Sequence, residues 1–293
     1  MGSKPYAKLL LGVISVSFAA IFIRLADAPP LIIATYRMLI AACVITPIYM
    51  VRYRSIHQKV SSRDLLLVLV SALLLAVHFG LWITSLEYTS IASSVVLATS
   101  HPIFVAILSY ILWKERLSKK VILGIILALV GVTFINWGGF ILSSTTFIGN
   151  MLALLSAITI GIHLIIGRQL RERVRLMQYL TTVYGGAALI LTIAVLIMDY
   201  SFIGHSANTY FMLILLALIP QLVGHSMLNQ AVRLMSVTIV ATAIVGEPIG
   251  AIIWGYLILG EGITTVEIVG SLLTLGGISA VVVYWHKAAL IKP

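Results

Sequence analysis

The stretch Ser85-Leu86-Glu87-Tyr88-Thr89-Ser90, followed by Ser100-His101-Pro102 and Leu112-Trp113-Lys114-Glu115-Arg116-Leu117, has a counterpart later in the chain. The counterpart runs Ala231-Val232-Arg233-Leu234-Met235-Ser236, then Gly246-Glu247-Pro248, then Leu259-Gly260-Glu261-Gly262-Ile263. Pro102 aligns with Pro248 and Glu115 with Glu261, a constant offset of 146 residues. The same offset carries Gly124 and Gly131 onto Gly270 and Gly277. The chain therefore reads as two repeats, 1–146 and 147–293.

What repeats is apolar. Hydrophobic residues make up 61% of the 293 and charged residues only 10%, with a mean hydropathy of +1.12. A soluble domain carries about 25% charged residues. The composition excludes a soluble enzyme, a disordered chain and a collagen-like fibre, and points to an all-α protein embedded in a lipid bilayer. A net charge of +10 suggests nucleic acid at first sight. The basic residues sit in short loops between apolar runs, so no nucleic-acid partner is expected. Cys43 is the single cysteine, which excludes an internal disulfide and a cysteine metal site.

A helix needs about 20 mostly apolar residues to cross a bilayer. Ten runs qualify: Leu9–Leu25, Leu31–Val51, Leu65–Leu86, Ile91–Trp113, Val121–Ile141, Ile148–Gly167, Met177–Met198, Tyr210–Ala231, Val237–Leu259 and Val266–Trp285. None shows the alternation of an outer-membrane barrel strand. Lys4 and Lys8 precede the first run, and Ser17-Phe18-Ala19 loosely mimics a cleavage site; the expectation is an uncleaved first span. With both termini in the cytoplasm, all 19 basic residues except Arg24 and Arg37 fall on the inner side.

Five spans per repeat is an odd number, so the second half must be upside down relative to the first. The charges agree. Lys114, Arg116, Lys119 and Lys120 give way to Gly260, Gly262, Thr265 and Val266, and Glu87 gives way to Arg233. Inverted repeats are typical of secondary transporters, which hold their substrate near the midplane between the halves.

The ten spans, the proline in spans 4 and 9, the motifs Leu-Trp-Lys-Glu-Arg-Leu and Leu-Gly-Glu-Gly-Ile that follow, and Tyr36-Arg37 near the start of span 2 resemble the EamA-type members of the drug/metabolite transporter superfamily. The resemblance covers nearly the whole chain. It implies a 5+5 inverted-repeat fold, a central cavity built from the first four spans of each half, and export of small metabolites such as amino acids across a bacterial inner membrane. The family often carries a Trp in the middle of span 1, where this chain has Phe18 nearby.

Polar residues inside a bilayer are costly and usually face an interior cavity. His78 and Trp82 share one face of span 3, and His101 follows Ser94 and Ala98 on span 4. His163 follows Ser156 and Thr159 on span 6, and Gln221, His225 and Asn229 form a stripe on span 8. Histidine changes charge near physiological pH, which suits a proton relay or a recognition site. The alternative is that each histidine bonds a backbone carbonyl. His78, Trp82, His101, His163, Gln221 and His225 are the candidate substrate residues. Glu247, beside Pro248 in span 9, reads either as a proton or cation site or as a brace for the broken helix, with Trp254 on the same face. Arg37 reads as a draw for a substrate carboxylate, or as a side chain that snorkels to headgroups or pairs with Asp27 or Glu87. Gly246-x-x-x-Gly250 and the rows Gly124/Ala128/Gly131 and Gly270/Thr274/Gly277 read as small faces for close packing.

A secondary transporter is the leading reading. No Walker A, HExxH or GxSxG sequence occurs, which argues against an ATPase and an intramembrane enzyme, and no filter of ligands suggests a passive channel. No cofactor is implied, and the histidine spacings do not fit a zinc site. The substrate, the coupling ion and the choice between monomer and homodimer are open.

Overall fold

The computed structural model describes residues 4–52, 60–114, 118–170, 173–225, 227–228, 243–244 and 246–289. Glu115, Arg116 and Leu117 of the first motif, and Asn229 and Arg233 in the 229–242 stretch, lie outside the described residues.

All regular structure among the described residues is helical. The helices are α1 (Lys4–Ser17), α2 (Ala19–Leu25), α3 (Pro30–Arg52), α4 (Ser62–Tyr88), α5 (Ile91–Ala98), α6 (His101–Trp113), α7 (Lys119–Leu142), α8 (Ser144–Leu170), α9 (Leu176–Ile197), α10 (Ala207–Leu216), α11 (Gly246–Leu259) and α12 (Thr265–Ala289). Among the described residues, seven helical segments are long and apolar enough to cross a membrane: Ala7–Leu25, Pro30–Arg52, Ser62–Tyr88, Ile91–Leu112, Ser144–Gly167, Leu176–Ile197 and Ala207–Gly224. Gly246–Leu259 and Thr265–Val281 are shorter apolar helices.

Local chemistry explains the breaks. α1 and α2 meet at Phe18, and α5 and α6 meet at Thr99–Ser100, just before Pro102. Proline lacks an N–H, so it suits a first helical turn, whereas in an interior one it removes a backbone bond; α3 nonetheless runs through Pro47. Pro220 lies in the interior of span 8, and there α10 widens into a π-helical segment, Ala217–Gly224. The His225 N–H closes that wider turn on the Pro220 carbonyl. Starts are capped: the hydroxyls of Ser61, Ser90 and Ser206 accept bonds from the N–H groups of Asp64, Ser93 and Thr209.

The offset of 146 is visible in the backbone. α6 ends at Lys114 with φ 53°, and α11 is followed by Gly260 with φ 67°. These equivalent residues both take the left-handed conformation that ends a helix; glycine adopts it freely, whereas lysine pays for it. Four residues on, Ser118 accepts from the Val121 N–H and Thr264 from the Glu267 N–H, capping α7 and α12 alike. Glu267 returns a bond from the Thr264 N–H, a reciprocal cap.

Equivalent helices also pack on one another: α3 on α9 and α7 on α12. The α7–α12 crossing is the closest. A Cβ added to Gly131 would lie 2.6 Å from the Gly270 carbonyl oxygen, and one added to Gly277 would lie 2.6 Å from that of Gly124. Gly131 also abuts Thr274, and Gly277 abuts Ala128. The pairing is crosswise: as α7 advances from Gly124 to Gly131, its partner retreats from Gly277 to Gly270. The two helices are antiparallel, and only the absence of side chains lets their backbones come this close. The largest apolar core lies elsewhere, among α2, α3, α4, α9 and α10, around Ile21, Met38, Phe79, Ile83, Val183 and Leu213.

Candidate functional site

Arg37 is the centre of the polar interior. It lies two turns into α3 and is only 2% exposed. Its Nε donates to Gln221 Oε1 of the π-helical segment at 2.9 Å. Its guanidinium carbon stands 4.1 Å from the centroid of the Phe79 ring and 5.7 Å from that of Trp82, both on α4. A guanidinium lying on aromatic faces is held by cation–π attraction, which grows as water is excluded. Glu247 of α11 and Tyr184 of α9 are near enough to feel its charge, and the Tyr184 hydroxyl bonds Gln221. The readings in which Arg37 snorkels outward or pairs with Asp27 or Glu87 do not hold. The side chain is buried, and it meets Gln221, Phe79 and Trp82. α3 is enclosed there by α4, α9 and the π-helical segment, which leaves the side chain an inward path only.

Two donors in this group are buried without a hydrogen-bond partner among the described residues: Arg37 Nη1 and Trp82 Nε1. Such groups are rare, because each loses its water without compensation. The π-helical turn at Pro220 is what carries Gln221 to Arg37: the widened turn re-aims the side chain relative to a regular helix.

The histidines surround this centre at different depths. His78 stacks on Trp82 at 6.2 Å and 11°, and its Nδ1 lies 3.0 Å from the Ser156 carbonyl oxygen on α8. His163, on α8, has Nδ1 2.8 Å from Ser71 Oγ and 3.1 Å from the Ser71 carbonyl oxygen. Ser71 Oγ lies 2.6 Å from Tyr179 Oη, so α4, α8 and α9 are tied together at this level. Ser71 precedes His78 by two turns, about 10 Å along α4. His101 opens α6 and bonds the Ala98 backbone. His225, at the end of the π-helical segment, is close enough to Arg37 and His163 to feel both. The arrangement brings His78, Trp82 and Gln221 to Arg37. It leaves His163 and His101 on separate backbone-bonded anchors. Among the described residues no group of three or more His, Cys, Asp or Glu converges to hold a metal.

Glu247 stands in the first turn of α11, with Pro248 buried beside it. Trp254, one face-repeat further on, stacks on Phe18 at 4.6 Å and 17° and donates from Nε1 to Ser17 Oγ at 3.0 Å. Phe18 and Trp254 thus join the break in the first span to α11.

Sequence reasoning missed two clasps. On one side Arg24 Nη2 meets Glu261 Oε1 at 2.9 Å and donates to the Thr89 carbonyl at 2.8 Å, while Glu261 Oε2 accepts from the Ile91 N–H. Ser90 and Ser93 donate to Glu267 beside them. At the other end of α4, Arg173 Nη1 meets Asp64 Oδ1 at 2.9 Å. The contacts of Glu261 and Glu267 in the first clasp join residues 170 or more apart in sequence. The reappearance of Glu115 as Glu261 was the one signal, and it did not name Arg24. An apolar groove of about 340 Å³, bounded by Ile252, Ile253, Tyr256, Leu257, Glu261 and Ile263, lies on an exposed flank of α11 and touches none of the candidate residues.

An "Uncharacterized transporter" of Methanothermobacter thermautotrophicus is 24% identical over 96% of this chain and 88% of its own length. A solved crystal structure is similar in fold, with a TM-score of 0.66 at 14% identity over 96% of this chain and 98% of the other. The model of the EamA-like transporter family matches twice, at residues 4–137 and again at 147–283. The protein is a membrane transporter at the level of its family: the chain belongs to the EamA-like transporters.

Proposed function

We infer that this protein is a secondary transporter, an exporter of small metabolites such as amino acids. It works by alternating access around a midplane site between two inverted five-helix halves, residues 1–146 and 147–293. Both termini lie in the cytoplasm, and the membrane is a bacterial inner membrane. The observation that carries this reading is the crosswise, antiparallel pairing of the equivalent helices α7 and α12, with α3–α9 as a further equivalent pair. Antiparallel equivalents are what two halves inserted in opposite orientations produce. Supporting it, one buried polar group draws on residues from both halves: Arg37 and Trp82 from the first, Gln221 and Glu247 from the second. Rocking one half against the other changes access to such a group without dismantling either half.

In this scheme His78, Trp82, Gln221 and His225 line the substrate path, with His101 and His163 at its margins. Glu247 and Pro248 couple or brace the broken span. Glu247→Gln keeps the shape but removes the charge, so a coupling role predicts retained exchange with lost pH-driven accumulation. A bracing role predicts a mild Gln variant and an unstable Ala variant. The reading as a carrier is tested by counterflow in proteoliposomes, using a panel of labelled amino acids. Saturable uptake stimulated by unlabelled solute on the opposite side is expected. Unsaturable flux would indicate a channel, and product formation an enzyme.

A further inference from the structure

We propose that Arg37 Nη1 and Trp82 Nε1 together form a receptor for the carboxylate of the transported solute. The inference rests on the carrier reading above and names the chemistry of its substrate.

Three observations lead to it. Arg37 is 2% exposed, yet Nη1 has no hydrogen-bond partner among the described residues. Trp82, whose ring lies 5.7 Å from the guanidinium carbon, is 6% exposed, and its Nε1 is likewise unpartnered. Two donors, one of them cationic, are thus left open within one group. The rest of the guanidinium is fixed. Nε is held by Gln221 and the plane rests on Phe79 at 4.1 Å, so the fork is already oriented. A planar, pre-oriented fork matches a carboxylate better than it matches a hydroxyl or a spherical anion.

The surrounding charges restrict the class further. Glu247 is the acid that faces Arg37, and no ion pair within 4.0 Å joins them among the described residues. An acid at that remove balances the guanidinium without occupying its fork. His78 and His225, which also face Arg37, bring no acceptor to Nη1. A solute carrying both a carboxylate and an ammonium group fits between Arg37 and Glu247 with its charges opposed to theirs. A small amino acid in its zwitterionic form is such a solute, and its C-terminal amide or the matching amino alcohol is not.

The test uses the full chain in detergent and in proteoliposomes. The probes are amino acids, their C-terminal amides and their amino alcohols. Thermal stabilisation and counterflow are expected with at least one amino acid and absent with its amide and alcohol. Arg37→Met replaces the cation with an apolar chain of similar length; it is expected to fold with an unchanged or higher melting temperature and to lose amino-acid binding at least a hundredfold. Trp82→Phe keeps the ring and removes the N–H, weakening binding roughly tenfold. Should Arg37→Met melt far below the parent, Arg37→Lys separates the roles: a receptor needs the fork and loses binding, whereas a purely structural cation is rescued. Counterflow of amides or alcohols equal to that of acids overturns the carboxylate receptor while leaving the carrier intact. Absence of counterflow with every probe overturns both.

Discussion

Between α7 and α12 the halves meet through residues that repeat; around Arg37 they meet through residues that do not. Gly124 and Gly131 have Gly270 and Gly277 as their equivalents, and these four are the ones in contact. The equivalent of Arg37 is Val183, of Trp82 Leu228, of His78 Gly224, and of Gln221 Leu75. A crossing of equivalent helices needs the same small residue on both sides, so symmetry is conserved where backbones touch. A solute has no two-fold axis to respect. Each polar group need appear only once, and repeating Arg37 would bury a second cation without a partner.

The contrast can be broken from the symmetric side with the largest effect. Gly131→Leu puts a side chain where a Cβ alone would sit 2.4 Å from Thr274 Oγ1 and 2.6 Å from a backbone oxygen. The helices must separate, at a cost of about 3 kcal/mol or more. The measurement is melting in detergent, with Gly185→Ala, which meets nothing within 4 Å, as the neutral reference. On the asymmetric side, Gln221→Leu removes the acceptor of Arg37 Nε. A loss of about 1–3 kcal/mol is expected, because a buried donor is left without a bond. In the double variant Arg37→Met, Gln221→Leu most of that loss should disappear, since the orphaned donor is gone. The smallest effect belongs to the clasp at the start of α4. Arg173 is 47% exposed, so Arg173→Ala is expected to cost no more than about 1 kcal/mol, and less in high salt.

Much of the scaffold could be read before any coordinates. The apolar runs, the offset of 146 and the small-residue rows required only composition and spacing, and α7 and α12 pack through the rows named for that purpose. The interruptions were less legible. Pro47 and Pro220 both read as bends in their spans, yet α3 runs on through Pro47 while span 8 widens at Pro220. Phe18 carries no such signal, and the break there takes shape beside Trp254 of a distant helix. Arg37 was the harder case. Its place near an outer end suggested snorkelling, and no local pattern tells that α9 and the π-helical segment close over it. Its partners are α4 and span 8 residues brought in by tertiary packing. Phe79 carries no polar atom, so a search for polar stripes passes over it. The Arg24–Glu261 clasp is invisible for the same reason: it joins the first span to the loop after α11.

The inversion of the second half on the first is open to one labelling experiment. Lys119 and Thr265 are equivalent under the offset of 146, and both are exposed at the starts of α7 and α12. With Cys43 replaced by Ser, Lys119→Cys and Thr265→Cys are each treated in intact cells with a membrane-impermeant maleimide. The inverted arrangement predicts labelling of Thr265→Cys and none of Lys119→Cys until the membrane is opened. Labelling of both from the same side would contradict it.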